Sequence, residues 1–429
     1  MNNGSRSGVL TPSPEAAGGS HAAGLFDHWA LEALQRNVGS VPVRLRLVNG
    51  PDLAPAHGPA VATLTIKRRV TLINLLRNPD VEFGEAFIAG DIEVDGDLVA
   101  LIEAVFRAQE AVGALRTRPP SHSHSVHVSR SNARQHYDVG NDFYRLWLDG
   151  QLVYTCAYFP SIGATLDEAQ VAKMDLVCRK LRLRPGEHVI EAGCGWGALA
   201  IHMARRYGVT VTACNISHEQ VTYARERAER EGLGDRVTFV EDDYRAIRGS
   251  ADAFVSVGML EHVGPADYPA LGAVIHRVLG DGRGRGLLHF IGRNRPCPLH
   301  PWITKRIFPG AYPPTLVEAV GGVLEPENLS VLDVENLRLH YAVTLDHWRR
   351  RFLAAADDVR RRFDPSFERA WRLYLSGAQA AFMAGSMQLF QVVFAPAGSN
   401  SIPWTRRTPG DFPGFDARDS SCTGPDGHL

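Results

Sequence analysis

Residues 187–207 read EHVIEAGCGWGALAIHMARRY, and the fold turns on this stretch. Glu187 to Ala192 is a short run that reads as a buried strand. Gly193-Cys194-Gly195-Trp196-Gly197 is a glycine-rich turn, and a helix leaves it and runs to Tyr207. Glycine in such a turn lets a ligand approach the backbone, and the helix that follows offers free N–H groups. A tight strand-to-helix turn also favours glycine for structural reasons alone, so the loop by itself names no ligand.

Working outward, Val209 to Ala213 reads as a second strand and Ser217 to Glu231 as a helix. Val237 to Val240, Ala253 to Val257 and Gly286 to Ile291 read as third, fourth and fifth strands. Strand–helix alternation at this spacing builds an open, doubly wound α/β sheet of mostly parallel strands. Residues 132–396 form this domain. Ahead of it, residues 25–112 read as a smaller α+β module. Its parts are a helix from Phe26 to Val38, alternating strands Val43 to Val48 and Ala62 to Ile66, and a helix from Leu98 to Ala111. Residues 1–24 read as a disordered lead-in, 113–131 as a linker and 397–429 as a turn-rich, disordered tail. His122, His124 and His127 fit a solvated linker better than a metal-binding tract.

The chain has 429 residues, 45% hydrophobic and 22% charged, which suits two or three soluble domains and excludes wholesale disorder. A net charge of −1 gives no overall basic field, so nucleic acid is not an expected partner. Its six cysteines form no CxxC pair, so no structural zinc site, and no metal, is expected. Residues 1–24 have no apolar signal core, and no apolar run approaches the ~18–20 residues needed to span a bilayer. The expected location is the reducing cytoplasm.

Two details narrow the ligand. The loop is G-x-G-x-G with Glu191 two residues before the first glycine, rather than G-x-G-x-x-G. Asn215 stands where a nicotinamide enzyme wants a carboxylate for its ribose. No GxxxxGK[ST] is present, which excludes ATP bound through a P-loop. A ligand with an amino acid end and an adenosine end, such as S-adenosylmethionine, fits better. Glu191 can answer its ammonium, with Asp243 or its neighbours near the adenine; Glu241 and Asp242 read equally well as a solvated loop.

Longer segments are more specific. They are His136 to Tyr144, Tyr154 to Phe159, Gly193 to Gly197, Gly258 to Gly264, Leu288 to Gly292, Trp302 to Pro309 and Gln388 to Phe394. Together they resemble the cyclopropane-fatty-acyl-phospholipid synthases and the related mycolic acid cyclopropane synthases, over about residues 25–395. The resemblance implies a Rossmann-like class I methyltransferase domain. It also implies that the N-terminal module, with Gly84 to Ile92, is a lipid-associating domain. The family reaction adds a methylene from S-adenosylmethionine to a cis double bond of an acyl chain, with a bound bicarbonate as base.

Carried over residue by residue, the bicarbonate cradle would be Cys156, Glu261, His289, Ile291 and Tyr341. Cys156 and Ile291 would act through their backbones and the other three through side chains. A carboxylate beside an anion makes sense only if it accepts the bicarbonate O–H; His289 and Tyr341 can donate to the remaining oxygens. Each residue also has a plain packing role open to it, Glu261 least so. For the cosubstrate the resemblance points to Tyr137, Thr155, Gly193, Gly195, Gln220, Asp243 and Tyr244, with Glu191 and Gly197 in the same loop. Thr155 stands where serine is common, and Glu191 where aspartate is usual. Ala311 to Thr315 departs from the family pattern near the acyl pocket, which leaves the identity of the lipid open.

The implied substrate is an unsaturated phospholipid, met at the inner face of a membrane by a peripherally bound enzyme; the oligomeric state, a homodimer included, stays open. Lys67 to Arg69, Arg349 to Arg351 and Arg360 to Arg362 are candidate headgroup contacts, the last two on one helix from His347 to Phe363. They read equally well as solvated faces. Two alternatives remain: a same-fold methyltransferase that makes methyl-branched lipids or methylates a small amine, and a noncatalytic lipid-binding protein.

Overall fold

The structure is a computed structural model and describes residues 17–112, 139–280 and 282–401. These divide into two compact units. One comprises residues 17–112, 300–307 and 348–386, and the other residues 139–299, 308–347 and 387–401.

In the first unit, helix α1 (Ala17–Val38) starts ahead of Phe26, so Ala17 to Gly24 are helical and not a lead-in. Strands β1 (Val43–Leu47), β2 (Asp52–Leu53) and β3 (Ala62–Ile66) follow. Helices α2 (Arg69–Arg77) and α3 (Pro79–Ala89), strand β4 (Ile92–Gly96) and helix α4 (Leu98–Val112) complete the module. The sheet order is β2-β1-β3-β4, with β1 and β3 parallel. On β1, Val43, Leu45 and Leu47 point inward while Arg44 and Arg46 point out and both hold Asp52. That is the half-buried alternation of the sequence made physical.

The helix Pro365–Ala384 packs on α3 and α4 in this unit. Its Arg369 lies 4.6 Å over the Phe87 ring and donates to the carbonyls of Phe87 and Ile92. The stretch expected as one helix from His347 to Phe363 is two, Arg338–Ala354 and Ala356–Arg362, broken at Ala355. Trp348, Phe352 and Val359 are fully buried, as expected of the apolar side.

In the second unit, α5 (Leu166–Lys180) opens on a capping box between Thr165 and Glu168. Then come β5 (His188–Ala192), α6 (Ala198–Tyr207), β6 (Thr210–Asn215), α7 (His218–Arg230), β7 (Val237–Glu241), β8 (Ala253–Val257), α8 (Tyr268–Leu279), β9 (Arg285–Gly292), β10 (Leu329–Asn336) and β11 (Gln388–Pro396). The strand order is β10-β11-β9-β8-β5-β6-β7. The β5, β6, β7, β8 and β9 pairings are parallel, and β11 runs antiparallel to both β9 and β10.

One face of the sheet packs Val189, Val211, Ala213, Val255 and Leu287 against α6 and α7. The other packs Ile190, Phe254, Leu288 and Phe290 against α8. Coverage on both faces explains why these strands read as continuous apolar runs. From β5 the chain builds outward through β6 and β7, then returns to β8 and β9 on the other side. The carboxyl ends of β5 and β8 are therefore the topological switch point, where such sheets bind ligands.

Candidate active site

A cavity opens at those strand ends. Thr155, Glu191, Gly193, Gly195, Gln220, Asp243 and Tyr244 all line it. Gly197 does not. It enters α6 at φ +79°, and a Cβ there would lie 2.6 Å from the Phe239 ring, so its place is structural. Tyr137, expected to join the set, lies outside the described residues. Of the two carboxylates that read equally as a loop, Asp242 lines the cavity, whereas Glu241 pairs with His218 at 2.8 Å.

Glu191 closes β5 and is buried, with Oε2 lacking any hydrogen-bond partner. Burial pushes its carboxyl up to about 7, against the pull of Lys173. Lys173, which also lines the cavity, is itself buried and donates to Thr155 Oγ1 at 3.0 Å; burial pushes its ammonium down to about 8. Sequence reasoning missed this lysine. The signal was on α5, where Gln170 and Lys173 share a buried stripe with Leu166, Ala169, Met174 and Val177. Two long polar side chains at i and i+3 in an apolar face need internal partners. Gln170 finds its own in the carbonyl of Thr155 at 2.8 Å.

The far wall is prepared by side chains that hold one another. Asn215 donates to Gln220 Oε1 at 2.7 Å, and Trp196 to Asn141 at 2.7 Å. Arg245 grips Asp243 and lies 4.8 Å over the Tyr244 ring. The unpaired Oε2 of Glu191, the glycine backbone and the polar wall opposite fit a molecule with an ammonium at one end and a nucleoside at the other.

The second expected set lies at the ends of β8 and β9. Glu261, in the turn after β8, is buried; its Oε1 accepts from the amide of Ile291 while Oε2 has no partner. Burial pushes its carboxyl up to about 7, and the Ile291 amide opposes that. His289 on β9 is buried, with Nδ1 3.0 Å from Gln391 Nε2 and Nε2 unpartnered. Burial, with the charges of Lys173 and Lys180, drives its pKa far below the ordinary imidazole value, so the ring is neutral.

Cys156 is buried, and desolvation lifts its thiol far above the usual range, which leaves it a neutral small side chain. Its neighbour Ala157 donates to Thr344 Oγ1 at 3.0 Å, three residues along the same helix from the buried Tyr341. Glu261 and Ile291 thus touch, His289 stands two residues from Ile291 on the same face of β9, and Ala157 ties the segment of Cys156 to the helix that carries Tyr341. The charge of Lys173 acts on Glu191, Cys156 and His289 alike, tying the two sets electrostatically.

A mostly parallel seven-stranded sheet with a ligand cavity at its switch point is the class I S-adenosylmethionine-dependent methyltransferase fold. Residues 124–392 match the family described as mycolic acid cyclopropane synthetase, and residues 31–114 match a domain of unknown function. A probable fatty acid methyltransferase of Pseudomonas putida is 37% identical, over 85% of this chain and 95% of its own. The cyclopropane-fatty-acyl-phospholipid synthase of Escherichia coli K12 is 35% identical, over 81% and 91%. The crystal structure of the mycolic acid cyclopropane synthase CmaA1 complexed with SAH and CTAB is 29% identical. It superposes with a TM-score of 0.58 over 62% of this chain and 97% of that one. The chain belongs to the mycolic acid cyclopropane synthetase family, and is an S-adenosylmethionine-dependent enzyme of that type. Among the described residues no helix is long and apolar enough to cross a membrane.

Proposed function

We propose that this enzyme is a cyclopropane-fatty-acyl-phospholipid synthase, transferring a methylene to a cis double bond of an unsaturated phospholipid acyl chain with bicarbonate as general base. When bound, S-adenosylmethionine supplies the electrophilic methyl group and bicarbonate takes the proton released on ring closure. An alkene is a weak nucleophile with no proton to remove in advance. The chain's task is therefore to orient the reactants in a dry chamber and to hold negative charge beside a developing cation.

The observation that carries this reading is the pair of unsatisfied polar atoms, Glu261 Oε2 and His289 Nε2, both buried at the ends of neighbouring strands. Native proteins seldom leave such groups unpaired without a ligand to complete them. Glu261 Oε2 accepts the O–H of the anion. The neutral His289 ring and Tyr341 donate to its other oxygens, with the backbone of Cys156 completing the cradle and the Ile291 amide acting through Glu261, which it holds in place. Glu191 receives the cosubstrate ammonium, with Thr155, Gly193, Gly195, Gln220, Asp243 and Tyr244 around the remainder; Tyr137 belongs to the same assignment by resemblance, whereas Gly197 shapes the turn without lining the cavity.

Residues 25–112 serve as the lipid-associating domain of a peripherally bound, cytoplasmic enzyme. Their basic triplet is internally matched, Lys67 by Glu93, Arg68 by Asp91 and Arg69 by Asp27. Arg360 and Arg361 likewise pair with Asp357 and Asp358 on their own helix. Apolar contact, rather than free positive charge, then carries the larger share of bilayer binding.

A second reading, a methyl-branching fatty acid methyltransferase, is favoured by the Pseudomonas putida relative. Purified protein, S-adenosylmethionine, bicarbonate and vesicles of cis-unsaturated phospholipid, with acyl chains read by mass spectrometry and NMR, separate the two. A gain of CH2 with cyclopropyl signals and loss of the alkene supports the synthase. The same mass gain with an alkene retained supports branching and overturns it.

A further inference from the structure

Gln391 lies in the middle of β11, fully buried and directly opposite His289 on β9, so their side chains share a face of the sheet. One end of its amide meets His289 Nδ1 at 3.0 Å; the other meets the ammonium of Lys180 at 2.7 Å. Lys180 ends α5 and is anchored by Glu335 on β10.

The chemistry of these groups fixes every proton in the chain. An ammonium has three donors and no acceptor, so the atom facing Lys180 must be the amide oxygen. The amide N–H then faces His289 Nδ1, which can only accept. A neutral imidazole with a bare Nδ1 carries its proton on Nε2, and Nε2 is the buried atom without a partner.

We propose that Lys180 and Gln391 are positioning residues that lock His289 in the Nε2–H tautomer, so that it presents a donor, and not a lone pair, to an anion in the reaction chamber. The use of that donor rests on the bicarbonate reading above, whereas the tautomer does not. Neither residue touches the reactants; both act through the ring.

The chain holds 17 histidines, so the test uses protein labelled with 15N-histidine, in bicarbonate-free buffer, with the His289 signals identified by their loss in His289→Gln. The expected result is one protonated and one bare nitrogen, the protonated one coupling to both Hδ2 and Hε1 and so being Nε2. In Gln391→Glu, which places only acceptors at that position, the proton moves to Nδ1. A wild-type ring protonated on Nδ1, or a Gln391→Glu ring unchanged from wild type, overturns the proposal. Once His289→Gln has identified the signals, the wild-type spectrum decides even if the Gln391 variants fail to fold.

Turnover supplies the second arm. Gln391→Leu should raise the bicarbonate concentration for half-maximal activity about tenfold while the KM for S-adenosylmethionine holds; no rise, where wild-type activity does respond to bicarbonate, overturns the positioning role. If the tautomer is as stated but wild-type activity ignores bicarbonate, the tautomer lock stands and the general-base reading falls.

Discussion

The amide of Ile291 donates to one carboxylate oxygen of Glu261, and this single bond leaves the other oxygen buried and free to serve a ligand. A backbone donor on β9 therefore aims an acid from the turn after β8. Glu261→Gln keeps the shape and the contact to Ile291 but loses the charge. Turnover should fall by about 10²–10⁴-fold, the usual span for a proton-transfer group. The S-adenosylmethionine Kd by calorimetry should move less than about threefold, well under 1 kcal/mol. Equal loss of binding and turnover would contradict the role given to Glu261.

The same carboxyl sets a pH dependence of stability. Its ordinary value is 4.5 and burial raises it to about 7. A carboxyl raised on folding stabilises the protein fully below about 4.5, and that contribution is lost as pH climbs through about 7. Glu261 thus costs about 3 kcal/mol at pH 8, at ~1.4 kcal/mol per pH unit. Glu261→Gln should melt several degrees above wild type at pH 8 and near it at pH 5, by differential scanning fluorimetry. Glu191→Gln should show a smaller gain of the same sign, because it removes a partner of the buried Lys173. A difference that does not change with pH would show that neither acid is held neutral.

Two glycines two residues apart separate binding from folding. Gly195 lines the cavity at φ +52°, and nothing lies within 4 Å of where a Cβ would stand. Gly195→Ala should cost about 1–2 kcal/mol of stability for the left-handed backbone, and should weaken S-adenosylmethionine binding about tenfold or more by filling its space. Gly197 has φ +79° and would drive a Cβ into Phe239 and Ala224. Gly197→Ala should cost about 2–4 kcal/mol in urea unfolding, strain and overpacking together.

In the first unit, Gly84 on α3 faces Trp302 so closely that a Cβ would lie 2.4 Å from the indole. Gly84→Ala must displace that ring from the short helix Pro301–Arg306, whose Arg306 and Lys305 hold Glu85 beside it. The expected loss is about 1–3 kcal/mol, accompanied by a change in tryptophan fluorescence. An unchanged melting temperature would mean the contact yields freely.

How much could be read in advance differs from residue to residue. The five strands β5 to β9 were legible because sheets covered on both faces demand continuous apolar runs, which repeat in order along the chain. The glycine loop was legible because its spacing, with Glu191 and Asn215, discriminates among nucleotides. Glu261, His289, Cys156 and Tyr341 were not chemically distinctive alone, and stood out only through resemblance to a family. The break at Ala355 was missed because the apolar pattern of Trp348, Phe352 and Val359 continues across it.

What the amino-acid order determined by itself was local: which segments are strands, where the chain must turn, and which loop can meet a nucleotide, since hydrophobic period and backbone freedom act over a few residues. What only the tertiary structure decided was which polar groups lack a partner and which hold another in place. Lys173 beside Glu191, Ile291 against Glu261, and Lys180 reaching His289 through Gln391 join residues from 18 to 211 positions apart. Such pairings arise from the register of strands β9 and β11 and the packing of α5 against them. Hydrogen-bond satisfaction is a property of the whole folded interior, and no window of sequence contains it.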